Sequence, residues 1–303
     1  MFWLILCISA AAIWSLSAFI DNYLTDVIFC NRLPHAMKVL NGPIYIFVAI
    51  LISIILQVPS PETWQFWLLL ASGAINSIAS LPYYSALKNE EATGAVIFYQ
   101  LQPVLFLVSD YLIFGQKISA QQIIGFVLIL AAPLIVVFSR KRASARKMEM
   151  RAAILLTMFV VISTVSSSIA VHIGETGVNV FTVFVYYLLG RGIMDCLFGL
   201  LPKFRQRHRY VVHRNGGKYV IPLVVNQFLC CAADFAYRYG MILGIAALAS
   251  AFTNAAELIL TFFFGLVLTI IWPKFGREKL RRDIVLAHVV AVVLCVIGII
   301  IIQ

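Results

Sequence analysis

Ten apolar runs follow one another along this chain, each close to the ~20 residues that a bilayer-crossing helix needs. They cover residues 2–20, 39–57, 64–87, 92–114, 121–138, 152–171, 178–201, 219–241, 245–271 and 284–302. The polar breaks between them are mostly short, so neighbouring helices are expected to run antiparallel. Pro43, Pro82, Pro103, Pro133 and Pro222 lie within or near the ends of runs. A membrane helix tolerates proline where neighbours or waters satisfy the freed carbonyl. The pattern predicts an all-α integral membrane protein.

The break at residues 140–151, RKRASARKMEMR, divides the chain into halves of five runs each, 1–139 and 152–303. An odd number of spans per half makes the second half enter the bilayer upside down relative to the first. The expected architecture is ten transmembrane helices arranged as two inverted five-helix repeats, joined by a basic linker at 140–151.

Composition agrees. The 303 residues are 62% hydrophobic and 12% charged, where soluble domains carry about 25% charged residues. No Lys or Arg precedes the first run, so it is expected to stay as a span rather than be cleaved as a leader. The net charge of +10 would suggest nucleic acid in a soluble protein. Here the cations sit beside apolar spans, so topology and anionic lipid head groups explain them, and no nucleic acid is expected. Six scattered cysteines without a CxxC read as small buried hydrophobes.

The connections after spans 1, 3, 5, 7 and 9 hold 20 of the 23 Lys and Arg residues, and the other connections hold only Lys117. Positive loops are retained in the cytoplasm. The odd connections are therefore expected inside, with both termini outside a plasma membrane. Trp3, Trp64, Trp67 and Trp272 lie near span ends, at head-group level. Trp14 lies too deep for that role and joins the candidates for an internal site.

Residues 83–103 align without gaps on residues 237–257, placing Tyr83 on Tyr237, Ala95 on Ala249, Gln100 on Asn254 and Pro103 on Glu257. Identity is low, but each block spans the same junction between the third and fourth runs of its half. The first half carries Ala86-Leu87 closing span 3, Pro103 in span 4, a Gly115-Gln116 turn and Gly125 in span 5. Trp14-Ser15 and Ser17 stand in span 1. On these residues the chain resembles EamA-type members of the drug/metabolite transporter superfamily. The resemblance implies a ten-span transporter and names no cargo. Gln116 stands where the family often has an acid, and Glu257 where a proline is usual. The charge pattern orients the termini outside, whereas relatives are often described with both termini in the cytoplasm.

Ionisable groups inside spans are costly and usually face the bundle interior. Glu257 falls about 18 Å into span 9, near the midplane. With Ser250, Asn254 and Thr261 it forms one polar stripe on an apolar helix. A carboxylate there can bind a proton or a cationic substrate, or serve as a neutral hydrogen-bond anchor. Gln227, Cys231, Asp234 and Arg238 form a second stripe on span 8, and Tyr187, Arg191 and Asp195 a third on span 7. Asp234 and Arg238 can pair four residues apart on one face, and Arg191 with Asp195 likewise. Asp195 is expected near the cytoplasmic end and solvated. The first half offers uncharged groups: Asn76, Tyr83, Tyr84, Tyr99, Gln100 and Gln102. Gln100 and Asn254, as repeat partners, are expected to approach each other. Serines at 163, 166, 167 and 168 and the Gly240–Gly244 spacing suit close helix packing. The loop at 203–218, with His208 and His213, reads as a lipid-facing surface rather than a metal site.

No G-x-S-x-G, H-E-x-x-H, Walker A or G-x-G-x-x-G occurs, so neither an enzyme nor ATP-driven transport is expected. No cofactor or metal is called for. The leading expectation is a secondary transporter of a small metabolite working by alternating access, with Glu257 as coupling group. Glu257, Asn254, Asp234, Arg238, Arg191, Gln100, Asn76, Tyr83 and Trp14 are the substrate-site candidates. A carrier for lipid or a lipid-linked precursor is the alternative, and a receptor or integral enzyme the third class. The expected partners are the small-molecule substrate and anionic lipid at the basic connections. A homodimer stays open.

Overall fold

The structure is a computed structural model and describes residues 2–24, 37–87, 99, 101–112, 115, 119–143, 150–217, 219–271 and 282–302. Eleven helices account for almost all of these: α1 (Phe2–Tyr23), α2 (Lys38–Ile55), α3 (Thr63–Leu87), α4 (Leu101–Leu112), α5 (Ala120–Ala143), α6 (Met150–Glu175), α7 (Val180–Leu200), α8 (Pro202–Asn215), α9 (Val220–Leu243), α10 (Ala246–Ile271) and α11 (Arg282–Ile302). No strand occurs among the described residues. Among the described residues, seven helical stretches are long and apolar enough to cross a bilayer: Phe2–Asp21, Lys38–Ile55, Thr63–Tyr83, Ala153–Glu175, Val180–Leu200, Val220–Leu243 and Ala246–Gly265. The apolar stretches within α5 and α11 are shorter, Ala120–Ala132 and Val289–Gly298. Helix reaches into the basic linker from both sides, through Ala143 and from Met150.

One element differs from expectation. The connection at 203–218 is not a loop; most of it is α8. Pro202 occupies the first turn, where its missing N–H costs nothing, and Gly216 follows the end with φ 60°. His213 and Arg214 in the last turn favour the negative end of the helix dipole. Phe204 stacks on Phe198 at 5.5 Å, His208 meets the Tyr219 ring at 6.2 Å, and Val211 is buried with Leu24, Met37 and Leu223. These three contacts fall at i, i+4 and i+7, so a strongly basic segment still has one apolar face.

Large apolar side chains such as Phe47, Ile54, Trp67, Ile221 and Val289 point outward. A lipid-facing surface has no reason to hide them. The interior is built instead from small residues, which let helices approach until packing supplies the cohesion. The dominant crossings are α1 with α9 and α10, α2 with α7, α3 with α6 and α7, and α5 with α11. At the α3–α7 crossing the helices meet backbone to backbone. A Cβ on Gly73 would strike the Tyr187 carbonyl, and one on Gly190 would strike the Leu70 carbonyl. Gly42 leaves only 2.7 Å to the Cys196 backbone N on the α2–α7 crossing, and Gly240 lets Cys7 approach on α1–α9. Between α3 and α6 the serines answer one another: Ser72 Oγ donates to the Ser166 carbonyl at 2.7 Å and Ser166 Oγ to the Ser72 carbonyl at 2.8 Å. Reading the α6 serines as packing residues is therefore right, and all four at 163–168 are buried.

A buried ion pair ties α2, α3 and α7 together. Lys38 Nζ lies 2.6 Å from Asp195 Oδ1, and it also donates to the Ser77 carbonyl at 2.9 Å and to Ser77 Oγ at 3.1 Å. Ser77 Oγ donates to the same carboxylate oxygen. Both charged side chains are almost wholly buried, 2% and 1% exposed. This corrects two expectations. Asp195 is enclosed rather than solvated, and Lys38 opens α2 with its side chain buried in the bundle rather than lying in a cytoplasmic loop. Position near a span end misleads here because α2 begins at Lys38 against the flanks of two longer neighbours.

Two predictions follow from this packing. Gly73→Val and Gly190→Val have only backbone to displace, so folded yield in fluorescence-detected size exclusion should collapse. Gly199→Ala, whose added carbon meets nothing closer than 3.7 Å, should fold normally. Removing one ionic partner, by Lys38→Met or Asp195→Asn, strands a buried charge and should cost about 3–5 kcal/mol. The double variant Lys38→Met with Asp195→Leu should recover most of the thermal midpoint in detergent. A double variant as unstable as the singles would rule the pairing out as the cause.

Candidate functional site

Helix α9 supplies the axis of the site. Its polar stripe turns toward α2, α6 and α7, and Gln227, Asp234 and Arg238 each find a partner on another helix rather than on their own. Gln227 accepts from the Tyr45 hydroxyl at 2.6 Å. Asp234 Oδ2 accepts from Arg191 at 2.6 Å. Arg238 Cζ lies over the Tyr187 ring, 3.7 Å from its centroid, and the guanidinium donates to Ser167 Oγ at 3.3 Å. Arg191 lies over the Tyr45 ring at 4.5 Å. Both stackings are within the ~6 Å reach of a cation–π contact.

The expected pairs within one helix, Asp234 with Arg238 and Arg191 with Asp195, do not form. Arg191 and Asp234 cross between helices, and Asp195 goes to Lys38. Surface helices favour pairs four residues apart, but inside a bundle the shortest route between opposite charges runs across the interface. Arg238 has no carboxylate among the described residues. The Nε atoms of Arg191 and Arg238 are buried and lack an acceptor.

A second group gathers around α10. Three of the four polar residues on its stripe are used to hold neighbours. Ser250 accepts from the Tyr237 hydroxyl at 2.9 Å, and Asn254 donates to the Tyr99 carbonyl at 3.0 Å. Thr261 donates to Ser15 Oγ at 3.0 Å, and Ser15 donates in turn to the Glu257 carbonyl at 3.1 Å. The Glu257 carboxyl is different: it is partly buried and has no hydrogen bond or ion pair among the described residues. It lies within electrostatic range of Tyr83, Tyr99 and Tyr237. Gln100 lies outside the described residues, yet the Asn254 contact falls on its neighbour Tyr99, so the two aligned segments do meet.

Tyr83 is not an interface anchor. Its ring packs 4.9 Å from Phe159 and 6.3 Å from Tyr99. Trp14 packs edge-on against Tyr237 at 5.0 Å, which explains its depth in α1. Asn76 is half-buried on α3 and adjoins Ser77 of the ionic tie.

Asp21 was not among the candidates. It accepts from Asn226 Nδ2 at 2.7 Å, and Ser17 donates to the Oδ1 of the same asparagine at 2.7 Å. Asp21 also lies within electrostatic range of Tyr83 and Tyr99, on the same side as Glu257. Cys230 on α9 feels Asp21, Asp234 and Arg191 together, so the two groups adjoin along that helix. An acid closing an apolar run was the available signal for Asp21; nothing local marked Lys38, Tyr45 or Ser167. The arrangement sets two guanidinium groups beside one carboxylate, and two further carboxylates beside a tyrosine cluster. Such a site can hold charge and hydrogen-bond a polar solute.

No curated protein matches this sequence. One solved crystal structure of another protein covers 99% of this chain and 95% of its own, with a TM-score of 0.68 at 18% identity. At that identity the likeness speaks to the fold, which this chain shares almost end to end. Residues 1–138 match the EamA-like transporter family. The signature lies on the first 138 residues, so it is the first half of this multi-pass helical chain that is similar to EamA-like transporters.

Proposed function

We propose that the chain is a secondary transporter of a small polar metabolite, working by alternating access, with Glu257 as the group that couples transport to a proton. The observation that carries this is the isolation of Glu257. Its three neighbours on the α10 stripe are spent on helix contacts, while its carboxyl has no partner among the described residues and lies beside three tyrosines. A carboxyl kept free inside a bundle is available to a proton or to cargo.

Alternating access in this reading comes from two inverted halves, α1–α5 and α6–α11 without α8. The packing supports it. Exchanging α1 with α6, α2 with α7, α3 with α9, α4 with α10 and α5 with α11 turns the α3–α6 contact into the α9–α1 contact. It also turns α1–α10 into α6–α4, and it returns α2–α7, α4–α10 and α5–α11 to themselves. A pseudo-two-fold axis in the membrane plane has that property. Basic residues on α8 and in the odd connections face the cytoplasm and its anionic lipids, with both termini outside the cell membrane. The lipid-carrier alternative finds less support: it needs arginines lining an opening to lipid, and Arg238 is buried on the Tyr187 ring.

In proteoliposomes, Glu257→Gln should abolish flux driven by a proton gradient while leaving counterflow exchange and the size-exclusion profile intact. Proton-driven flux equal to the parent would remove Glu257 from the coupling role. On a cysteine-free background, a cysteine at Ser144 should react with an impermeant maleimide only after the cells are permeabilised. Labelling in intact cells would invert the orientation.

A further inference from the structure

Within the group formed by Arg191, Arg238 and Asp234 there are two guanidinium groups to one carboxylate, and Asp234 bonds only Arg191. Arg191 has its partner. Arg238, 4% exposed, has only a serine hydroxyl at 3.3 Å and the face of Tyr187. A guanidinium carries five N–H donors in a rigid fork, and among the described residues one of those of Arg238 is used. Both Nε donors of the two arginines are buried without an acceptor. Leaving a charge in this condition is expensive, because desolvation costs several kcal/mol per ion and only a close counter-charge offsets it. A packing role would be filled as well by a neutral side chain, at no such cost.

The rings of Tyr45 and Tyr187 lie 4.5 and 3.7 Å from the two guanidinium carbons and meet part of the desolvated charge. One donor of Arg191 goes to Asp234, one of Arg238 to Ser167, and others are left over. Arg191 and Asp234 remain 17% and 14% exposed, so the group is not sealed. We propose that this paired arginine site on α7 and α9 binds one anionic oxygen group, the carboxylate or phosphate of the transported solute. Planar two-oxygen anions match the guanidinium fork, and a single negative charge brings the group to neutrality. Asp234 sets the capacity: by neutralising one arginine it makes the site answer a monoanion. The proposal rests on the reading as a transporter and deepens it by naming the chemistry of the cargo. It does not depend on Glu257.

The test uses the full chain in phosphatidylcholine nanodiscs, following thermal unfolding by intrinsic fluorescence. Sodium pyruvate, sodium phosphate and choline chloride are added at matched ionic strength, and a parallel sample contains phosphatidylglycerol. A ligand of the folded state raises the midpoint as its concentration passes its Kd. Pyruvate or phosphate should raise the midpoint of the parent, and choline should not. Arg238→Lys keeps the charge and loses the fork, so it should fold and respond with an affinity weaker by about tenfold or more. Arg238→Gln should lose the response altogether. Gly199→Ala, which lies outside the group, should keep it, and coupling is read separately in the proteoliposome flux of Glu257→Gln. A response confined to phosphatidylglycerol and lost in both Arg238 variants would retain the anion site and assign it to a lipid head group. No response to any anion, an equal response to choline, or an undiminished response in Arg238→Lys overturns the proposal.

Discussion

Inside a bilayer a charged side chain finds no water to surround it, so whatever solvates it must be carried in by the protein. The interior of this molecule is organised by that requirement. Lys38 is met by Asp195 and Ser77, Arg191 by Asp234 and the face of Tyr45, Asp21 by Asn226, and Arg238 by Tyr187 and Ser167. Each of these contacts joins different helices. The polar groups therefore do the work that apolar contact does in a soluble core, where burial itself is the driving force. In lipid the outward and inward surfaces are equally free of water, and specific bonds between helices decide the arrangement.

The contacts form two tiers. The reciprocal serines Ser72 and Ser166 are closed, each hydroxyl given to the other's carbonyl. The Lys38 tie is nearly so: all its bonds go to Ser77 and to Oδ1 of Asp195, and Oδ2 of Asp195 has no partner among the described residues. The arginines are more open, with Nε of each left over among the described residues. A closed group holds structure, and an open group has chemistry left to give.

Much of this was legible in the sequence, and the reasons differ by feature. Helices were readable because lipid demands long apolar runs, a signal carried by composition alone. The isolated acid at Glu257 stood out for the same reason. Helix α8 was missed because its apolar face is only Phe204, His208 and Val211 in a strongly basic segment. The ionic pairing was missed for a deeper reason. Spacing along one helix suggests partners four residues away, while Lys38 and Asp195 lie 157 residues apart and meet only once three helices have assembled. The approach of Asn254 to the segment at Tyr99 was anticipated because the internal alignment carries information across that distance.

The glycine contact between α3 and α7 bears on how such a protein can move. Where Gly73 and Gly190 bring the two backbones together, no side chains stand between the helices to switch rotamers and absorb sliding. Two rods touching at bare backbone can pivot about the point of contact, but lengthwise travel would drive neighbouring side chains into carbonyls. One of these helices lies in each half of the chain. The crossing thus opposes sliding of one half past the other and leaves rotation about the contact open.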